Sequence, residues 1–296
     1  MADPKGISSQ RVGVVGAGTM GVGIVYVFAM AGFEVFLVEP DSDGTTRAWA
    51  TLREAAANAV ARRKMSSAWT EARLARISTL SHADDLPTSL DLVIETVPER
   101  RDLKLQVLGQ IAARAPKLIA SNTSSMSIDD LASGVTDSSR FLGMHFFNPV
   151  WSLKLVEIIR GAATSTDSVE HARAFAEAIG KTTAIVADTP GFATSRLDLV
   201  QAMEAIRMVE EGVASPADID RAITTAYRHP IGPLRLSDMV GLDVRLDIAR
   251  QLAGTIGPHF APPQLLQDMV ARGELGQKSG KGFYDWAAET SISKAG

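Results

Sequence analysis

The chain contains no cysteine, which excludes disulfides, thiolate-ligated zinc and thiol catalysis and agrees with a reducing compartment. Long hydrophobic runs are also missing. The longest apolar stretch, around Ile24 to Ala31, falls far short of the ~20 residues that span a bilayer. The opening run Met1 to Gln10 is polar and lacks the apolar segment of a secretory signal. Neither sign of charge dominates: 30 Lys and Arg stand against 34 Asp and Glu, for a net charge of −4, and the basic residues are scattered rather than clustered. The electrostatic footprint of a nucleic-acid-binding protein is therefore absent. His82, His171, His229 and His259 have no ligand spacing with one another or with carboxylates, so no metal is expected. The expectation is a cytoplasmic protein with neither a membrane nor a nucleic acid as partner.

What is present is enough apolar material, 46% of 296 residues, for one large domain or two of ordinary size. Val12-Gly13-Val14-Val15 is a short β-branched run that ends in Gly16-Ala17-Gly18-Thr19-Met20-Gly21, after which apolar residues recur at helical spacing to Ala31. Gly32 fits a helix C-cap, and Glu34 to Glu39 reads as a second strand, which closes a βαβ unit and predicts a parallel sheet. Gly16 suits a tight turn, Gly18 a close approach to a pyrophosphate and Gly21 helix–strand packing, with the helix N-terminus facing the phosphates. Gly16, Gly18, Thr19, Met20 and Gly21 are thus candidate cofactor residues. Glu39, eighteen residues after Gly21, can accept hydrogen bonds from adenosine ribose hydroxyls and would repel a 2′-phosphate, which points to NAD rather than NADP. The competing reading of Glu39 is a solvated strand end beside Pro40 and Asp41.

From about Thr45 to Ile77 the chain is rich in Ala, Arg, Glu and Leu without Pro or Gly, which predicts a helical hairpin inserted after the second strand. Leu92 to Glu95 and Leu118 to Ala120 read as buried strands flanking a helix from about Asp102 to Ala115, and Phe141 to Phe147 and Leu155 to Ile159 as two more. Beyond Asp188-Thr189-Pro190-Gly191 strands give way to amphipathic stretches at 194–211, 216–227, 240–256 and 263–273. The expected fold is a Rossmann-type α/β domain over 1–187 with a helical hairpin insertion, followed by an all-α domain over 188–296. The small polar residues after Trp286 are expected to fray.

His145-Phe146-Phe147-Asn148-Pro149 and Lys154-Leu155-Val156-Glu157 put a histidine and a carboxylate on adjacent strand-like runs among apolar residues. A glutamate bonded to the far ring nitrogen selects the tautomer and stabilises the imidazolium, so the pair suits proton transfer at physiological pH. Beside a nicotinamide cofactor, that proton is the hydroxyl proton of an alcohol that loses hydride.

At this point the motifs resemble the L-3-hydroxyacyl-CoA dehydrogenases, in particular the single-function bacterial 3-hydroxybutyryl-CoA type, over nearly the whole chain. Val12 to Gly21 is similar to the family's nucleotide fingerprint, Ser121-Asn122-Thr123-Ser124-Ser125 to its serine loop and His145 to Glu157 to its catalytic segment. Asp188 to Phe192 resembles its interdomain linker. Pro230-Ile231-Gly232-Pro233 with Asp238 and Val240-Gly241-Leu242-Asp243 resembles its helical domain, and Lys278 to Tyr284 its C-terminal motif. The resemblance implies an oxidoreductase of fatty acid metabolism that uses NAD and an acyl-CoA substrate. It implies His145 as base, Glu157 as its partner and Ser124 as the hydroxyl on the substrate's 3-oxygen. Asn122 is implied near the nicotinamide ribose, with Glu99 and Lys104 in the cofactor cleft, and the C-terminal helices are implied to pair two subunits. Simpler readings stand beside these: Ser124 as a turn serine or helix N-cap before Ile128, and Glu99 with Lys104 as a solvated ion pair at a helix start. Arg62-Arg63-Lys64 lies where the family places its CoA clamp, or is a solvated helix end.

Two departures mark this chain. Ser195 stands beside the dyad's expected position where many members have asparagine; it still donates a hydrogen bond but reaches less far. Trp151, after Asn148-Pro149-Val150, replaces a smaller residue, usually proline, and is expected with Asn148 to shape the acyl pocket. Rival readings are a dehydrogenase of a free hydroxy acid, gulonate- or carnitine-like, and a non-catalytic NAD-binding structural protein. Retention of His145, Glu157 and Ser124 together argues against the last.

Overall fold

The computed structural model describes residues 10–288; the opening run Met1 to Ser9 and the tail from 289 lie outside the described residues. The chain divides into two compact units, 1–189 and 190–296, two residues beyond the 187/188 boundary expected.

In the first unit, β1 (Arg11–Val15), α1 (Thr19–Ala31) and β2 (Glu34–Val38) form the βαβ opening. Helix α1 is buried on nearly every side, as its uninterrupted Val, Ile, Phe and Met content requires, and it packs on the apolar core with Val12, Val14, Leu37 and Phe175. Gly32 ends it in the left-handed conformation at φ 106°, its N–H donating to the carbonyls of Phe28 and Ala29. The inserted hairpin consists of α2 (Ser42–Ala61) and α3 (Ser67–Leu74). It is followed by β3 (Ile77–Leu80), which pairs parallel to β2 at the sheet edge. This strand begins where the expected hairpin ends, at Ile77, and its exposed Ser78 and Thr79 carry too little apolar alternation to stand out from a helical stretch.

The sheet continues through β4 (Leu92–Glu95), α4 (Arg101–Ala113), β5 (Ile119–Ser121), a short turn of helix α5 (Ile128–Leu131) and β6 (Phe141–Phe146). It closes with β7 (Leu155–Arg160), α6 (Thr166–Ala178) and β8 (Thr182–Ala187) in the order β3-β2-β1-β4-β5-β6-β7-β8. The sheet is not wholly parallel, as the opening unit predicts. β7 pairs antiparallel to β6, and β8 follows β7. The link at 147–154 is shorter than the dozen or more residues that a parallel crossover needs, so the chain returns as a hairpin.

The second unit is helical: α7 (Thr194–Glu210), α8 (Pro216–Ala226), α9 (Pro233–Val240), α10 (Leu242–Thr255) and α11 (Gln264–Ala271) surround a core that includes Leu199, Met203, Ile206, Leu234, Leu246 and Phe260. Helix α9 is an addition to the sequence reading. Pro233 sits at its first position, where the missing N–H costs nothing, so the Pro-Gly-rich segment starts a helix instead of only a turn. Among the described residues no helix is long and apolar enough to cross a membrane.

Candidate active site

The reversal between β6 and β7 creates the dyad. In antiparallel register His145 lies directly opposite Glu157, so two side chains twelve residues apart share one face of the sheet. His145 Nδ1 is 2.9 Å from Glu157 Oε2; the glutamate is wholly buried and the histidine nearly so. Phe147 packs against the imidazole with ring centroids 4.5 Å apart. A cavity of about 390 Å³ opens at His145, lined among others by Met20, Glu99, Lys104, Asn122, Ser124 and Asn148. Met20 follows β1 and the others follow β4, β5 and β6, at the carboxyl ends of the strands, where open α/β sheets bind ligands.

The serine loop is held from below by a buried ion network. Glu95, the last residue of β4, accepts from Lys104 Nζ at 2.8 and 3.0 Å, from Ser121 Oγ at 2.6 Å and from the Val97 amide at 2.7 Å. Lys104 also reaches Glu99 at 3.1 Å and the Val97 carbonyl at 3.1 Å. Glu99 in turn accepts from the Thr123 hydroxyl, from the Ser124 amide at 3.1 Å and from Ser125 Oγ at 3.2 Å. Burial opposes ionisation of Glu99, but the bonds from Thr123, Lys104 and Ser124 outweigh it and hold its carboxyl below the usual range. The solvated helix-start pair is thereby excluded, because Lys104 is only 1% exposed. Glu95 was missed by sequence reading: Leu92 to Glu95 reads as a buried strand, and nothing local tells what its terminal carboxylate meets. Ser124 is not a helix N-cap; Ser127 caps α5 by accepting from the Asp130 amide. Asn122 Oδ1 accepts from the Phe146 amide at 2.9 Å and so ties the serine loop to the strand that carries His145.

A second cavity, of about 430 Å³, is lined by Ala17, Gly18, Thr19, Val22, Glu39, Gly44, Arg47, Ala48, Thr51 and Trp151. Three features there fit a dinucleotide. A Cβ at Gly21 would stand 1.9 Å from the Gly16 carbonyl oxygen, so only glycine allows this close turn. A Cβ at Gly18 would meet nothing within 4 Å, which leaves the backbone open to a ligand, and no side chain caps α1 there. Glu39 is not a loose strand end: it accepts from the Ala17 amide at 3.0 Å and the Asp41 amide at 3.1 Å, which fixes it against the fingerprint. Arg47, on the same cavity, is paired with Asp41 at 3.0 Å.

Trp151, expected to shape the acyl pocket, lies on the second cavity and not among the residues that line the cavity at His145. Lys181 donates to the carbonyls of Val150 and Leu153, and Val150 presses on Gly23, where a Cβ would be 2.7 Å away. That turn sets Trp151 edge-on to Tyr26, with centroids 5.9 Å apart, on the second cavity. Ser195 lies in the first turn of α7, in the second unit. Arg62, Arg63 and Lys64 are exposed at the end of α2.

A dinucleotide fingerprint and a buried His–Glu pair at the carboxyl edge of one sheet define a dehydrogenase with a nicotinamide cofactor. Comparison makes the class particular. Residues 11–189 match the model of the 3-hydroxyacyl-CoA dehydrogenase NAD binding domain, and residues 191–286 match that of its C-terminal domain. The chain belongs to the 3-hydroxyacyl-CoA dehydrogenase family and is an NAD-dependent oxidoreductase. It is 38% identical to a 3-hydroxybutyryl-CoA dehydrogenase of Bradyrhizobium diazoefficiens over 94% of this chain and 95% of that one. It is 36% identical to the 3-hydroxyadipyl-CoA dehydrogenase of Escherichia coli over 96% of this chain and 60% of that one. The crystal structure of (S)-3-hydroxybutyryl-CoA dehydrogenase from Ralstonia eutropha superposes with a TM-score of 0.89 at 39% identity, covering 94% of this chain and 99% of that one.

Proposed function

We propose that this protein interconverts an L-3-hydroxyacyl-CoA and the 3-oxoacyl-CoA, with a short acyl chain such as 3-hydroxybutyryl. The observation that carries the chemistry is the cross-strand contact of His145 with Glu157 at the mouth of a cavity that also holds Ser124. Bound NAD supplies the acceptor for the hydride that leaves substrate C3. With Nδ1–H donated to Glu157, the His145 ring presents Nε2 as the atom that takes the hydroxyl proton, and Glu157 stabilises the charge that the ring acquires. The Ser124 hydroxyl holds the 3-oxygen, and the Glu99 contact to its backbone amide fixes the loop that carries it. Asn148 flanks the acyl end. Gly16, Gly18, Thr19, Met20, Gly21 and Glu39 hold the pyrophosphate and adenosine ribose, while Asn122, Glu99 and Lys104 surround the nicotinamide end.

The assay that tests this reading follows NADH consumption with acetoacetyl-CoA and with free 3-oxo acids, in wild type and in His145→Ala. Turnover of the CoA thioester that disappears in the variant is the expected result. Turnover of the free acids alone would assign the site to hydroxy acids without CoA, and no turnover with any of them would leave an NAD-binding protein.

The same reading includes a cytoplasmic homodimer. The support for the dimer is the apolar surface that the second unit exposes at Leu197, Val213, Met239 and Val244. Light scattering on the purified chain should give twice the mass of one chain; a monomer would contradict it.

A further inference from the structure

The cavity at His145 is backed by more carboxylate than ammonium. Glu99 and Lys104 line it, Glu95 lies directly behind Lys104, and Glu157 lies behind His145. One ammonium thus serves two carboxylates, at 2.8 Å and 3.1 Å, so the Glu95–Lys104–Glu99 triad keeps one net negative charge. Every carboxylate oxygen of the triad already receives a donor. Glu95 Oε1 takes Lys104 and the Val97 amide, Oε2 takes Lys104 and Ser121, Glu99 Oε1 takes the serine loop and Oε2 takes Lys104. The donors to Glu99 favour its carboxylate form. Glu95 and Lys104 are sealed from water and offset each other, so the surplus charge rests on the partly exposed Glu99 and acts across a partly screened site. A pair that only fastened α4 to β4 would need one carboxylate; the second, Glu99, is partly exposed and faces the cavity.

Oxidation of the substrate breaks its C3–H and O–H bonds. Two electrons leave with the hydride to the nicotinamide, and the proton goes to His145. The oxidised ring is cationic and the reduced ring neutral, so the step moves a positive charge from the ring to the imidazole without changing the total in the cavity. Glu157 on β7 favours the charge on the imidazole. The triad, anchored on β4 three strands along the sheet, favours it on the ring. We propose that the Glu95–Lys104–Glu99 triad makes this site discriminate between the two redox forms of its cofactor, holding the cationic, oxidised nicotinamide more tightly than the same site would without the surplus carboxylate. This rests on the reading that the nicotinamide end occupies the cavity at His145.

The test is equilibrium binding of NAD+ and of NADH to the full chain, without substrate, in wild type, Glu95→Gln, Glu99→Gln and Glu39→Gln. Glutamine keeps the size and one acceptor but removes the charge. Loss of one unit charge across a partly screened site should raise the ratio of the NAD+ Kd to the NADH Kd by about five- to thirty-fold in Glu95→Gln and Glu99→Gln. Glu39→Gln should weaken both forms alike, because the adenosine end is the same in each. Should Glu95→Gln lose its fold, the half-exposed Glu99→Gln carries the test alone. Equal weakening of both forms in Glu99→Gln would overturn the charge argument while keeping the nicotinamide in this cavity. Unchanged Kd values for both forms would overturn the argument together with the placement of the cofactor, leaving the His145→Ala assay to judge the dyad.

Discussion

Each of the two units buries a pair of carboxylates, and the partners they are given differ. In the first unit Glu95 is bonded chiefly to Lys104 and Ser121, and Glu157 to His145; Lys104 and His145 line a cavity. In the second unit Asp238 accepts from the Phe283 and Tyr284 amides at 3.0 and 2.9 Å and from Trp286 Nε1 at 2.9 Å. Asp220 accepts from the Leu234 and Arg235 amides at 2.9 and 2.8 Å and from the Tyr284 hydroxyl at 2.7 Å. These aspartates clasp the C-terminal segment onto α8 and α9, so closely that a Cβ at Gly282 would stand 2.1 Å from Asp238 Oδ1. Burial of a carboxylate is therefore no mark of catalysis. One bonded to backbone amides of its own unit serves the fold, whereas one bonded to side chains that face a cavity can act on a ligand through them.

Substitutions can break this contrast. The largest effect belongs to His145→Gln, which can still donate to Glu157 and should lower kcat by about a thousand-fold, the upper part of the range for losing a positioned acid/base group, with little change in the urea midpoint. Asp238→Ala should do the reverse. Three donors, one of them buried and two half-buried, lose their acceptor, so urea unfolding should show a loss of about 3 kcal/mol, while kcat per folded molecule stays as in wild type. A fall in kcat without a fall in stability would remove the distinction between the two units.

A pH series sharpens the same point. Burial raises the Asp238 pKa above 3.8 despite its three hydrogen bonds. The folded state then holds that proton more tightly than the unfolded state, so this group's contribution to stability is greatest below pH 3.8 and is lost as pH rises through its folded pKa. The stability advantage of wild type over Asp238→Asn should accordingly shrink as pH rises above about 3.8; an advantage that grows with pH would reverse the sign assigned to burial. The smallest effect is expected at the surface pair of Lys278 with Asp243, where both side chains are exposed: Lys278→Met should change stability by less than about 1 kcal/mol.

How much of this was legible in the sequence depends on how local each feature is. The fingerprint from Gly16 to Gly21 reads directly, because strand, turn and helix are contiguous and the steric demand at Gly21 is set by Gly16. The His145–Glu157 contact was legible as two neighbouring strands, but its geometry depends on the antiparallel return of β7, which a parallel sheet would not provide. Glu95 escaped because its partners Lys104 and Ser121 meet it only once α4 and β5 are in place. The placement of Trp151 on the second cavity was not legible because Lys181, far along the chain, decides how the 150–153 turn is held. Edge strands β3 and β8 escaped because polar or solvent-facing positions dilute their alternation.

The central claim is that Glu157 is buried for chemistry and Asp238 for the fold, and kcat of Glu157→Gln with acetoacetyl-CoA and NADH tests it most directly. On protein whose urea midpoint matches wild type, a fall in kcat of at least about a hundred-fold is predicted, because glutamine cannot stabilise the charged imidazole. A kcat within a few-fold of wild type, at the same midpoint, would contradict the account.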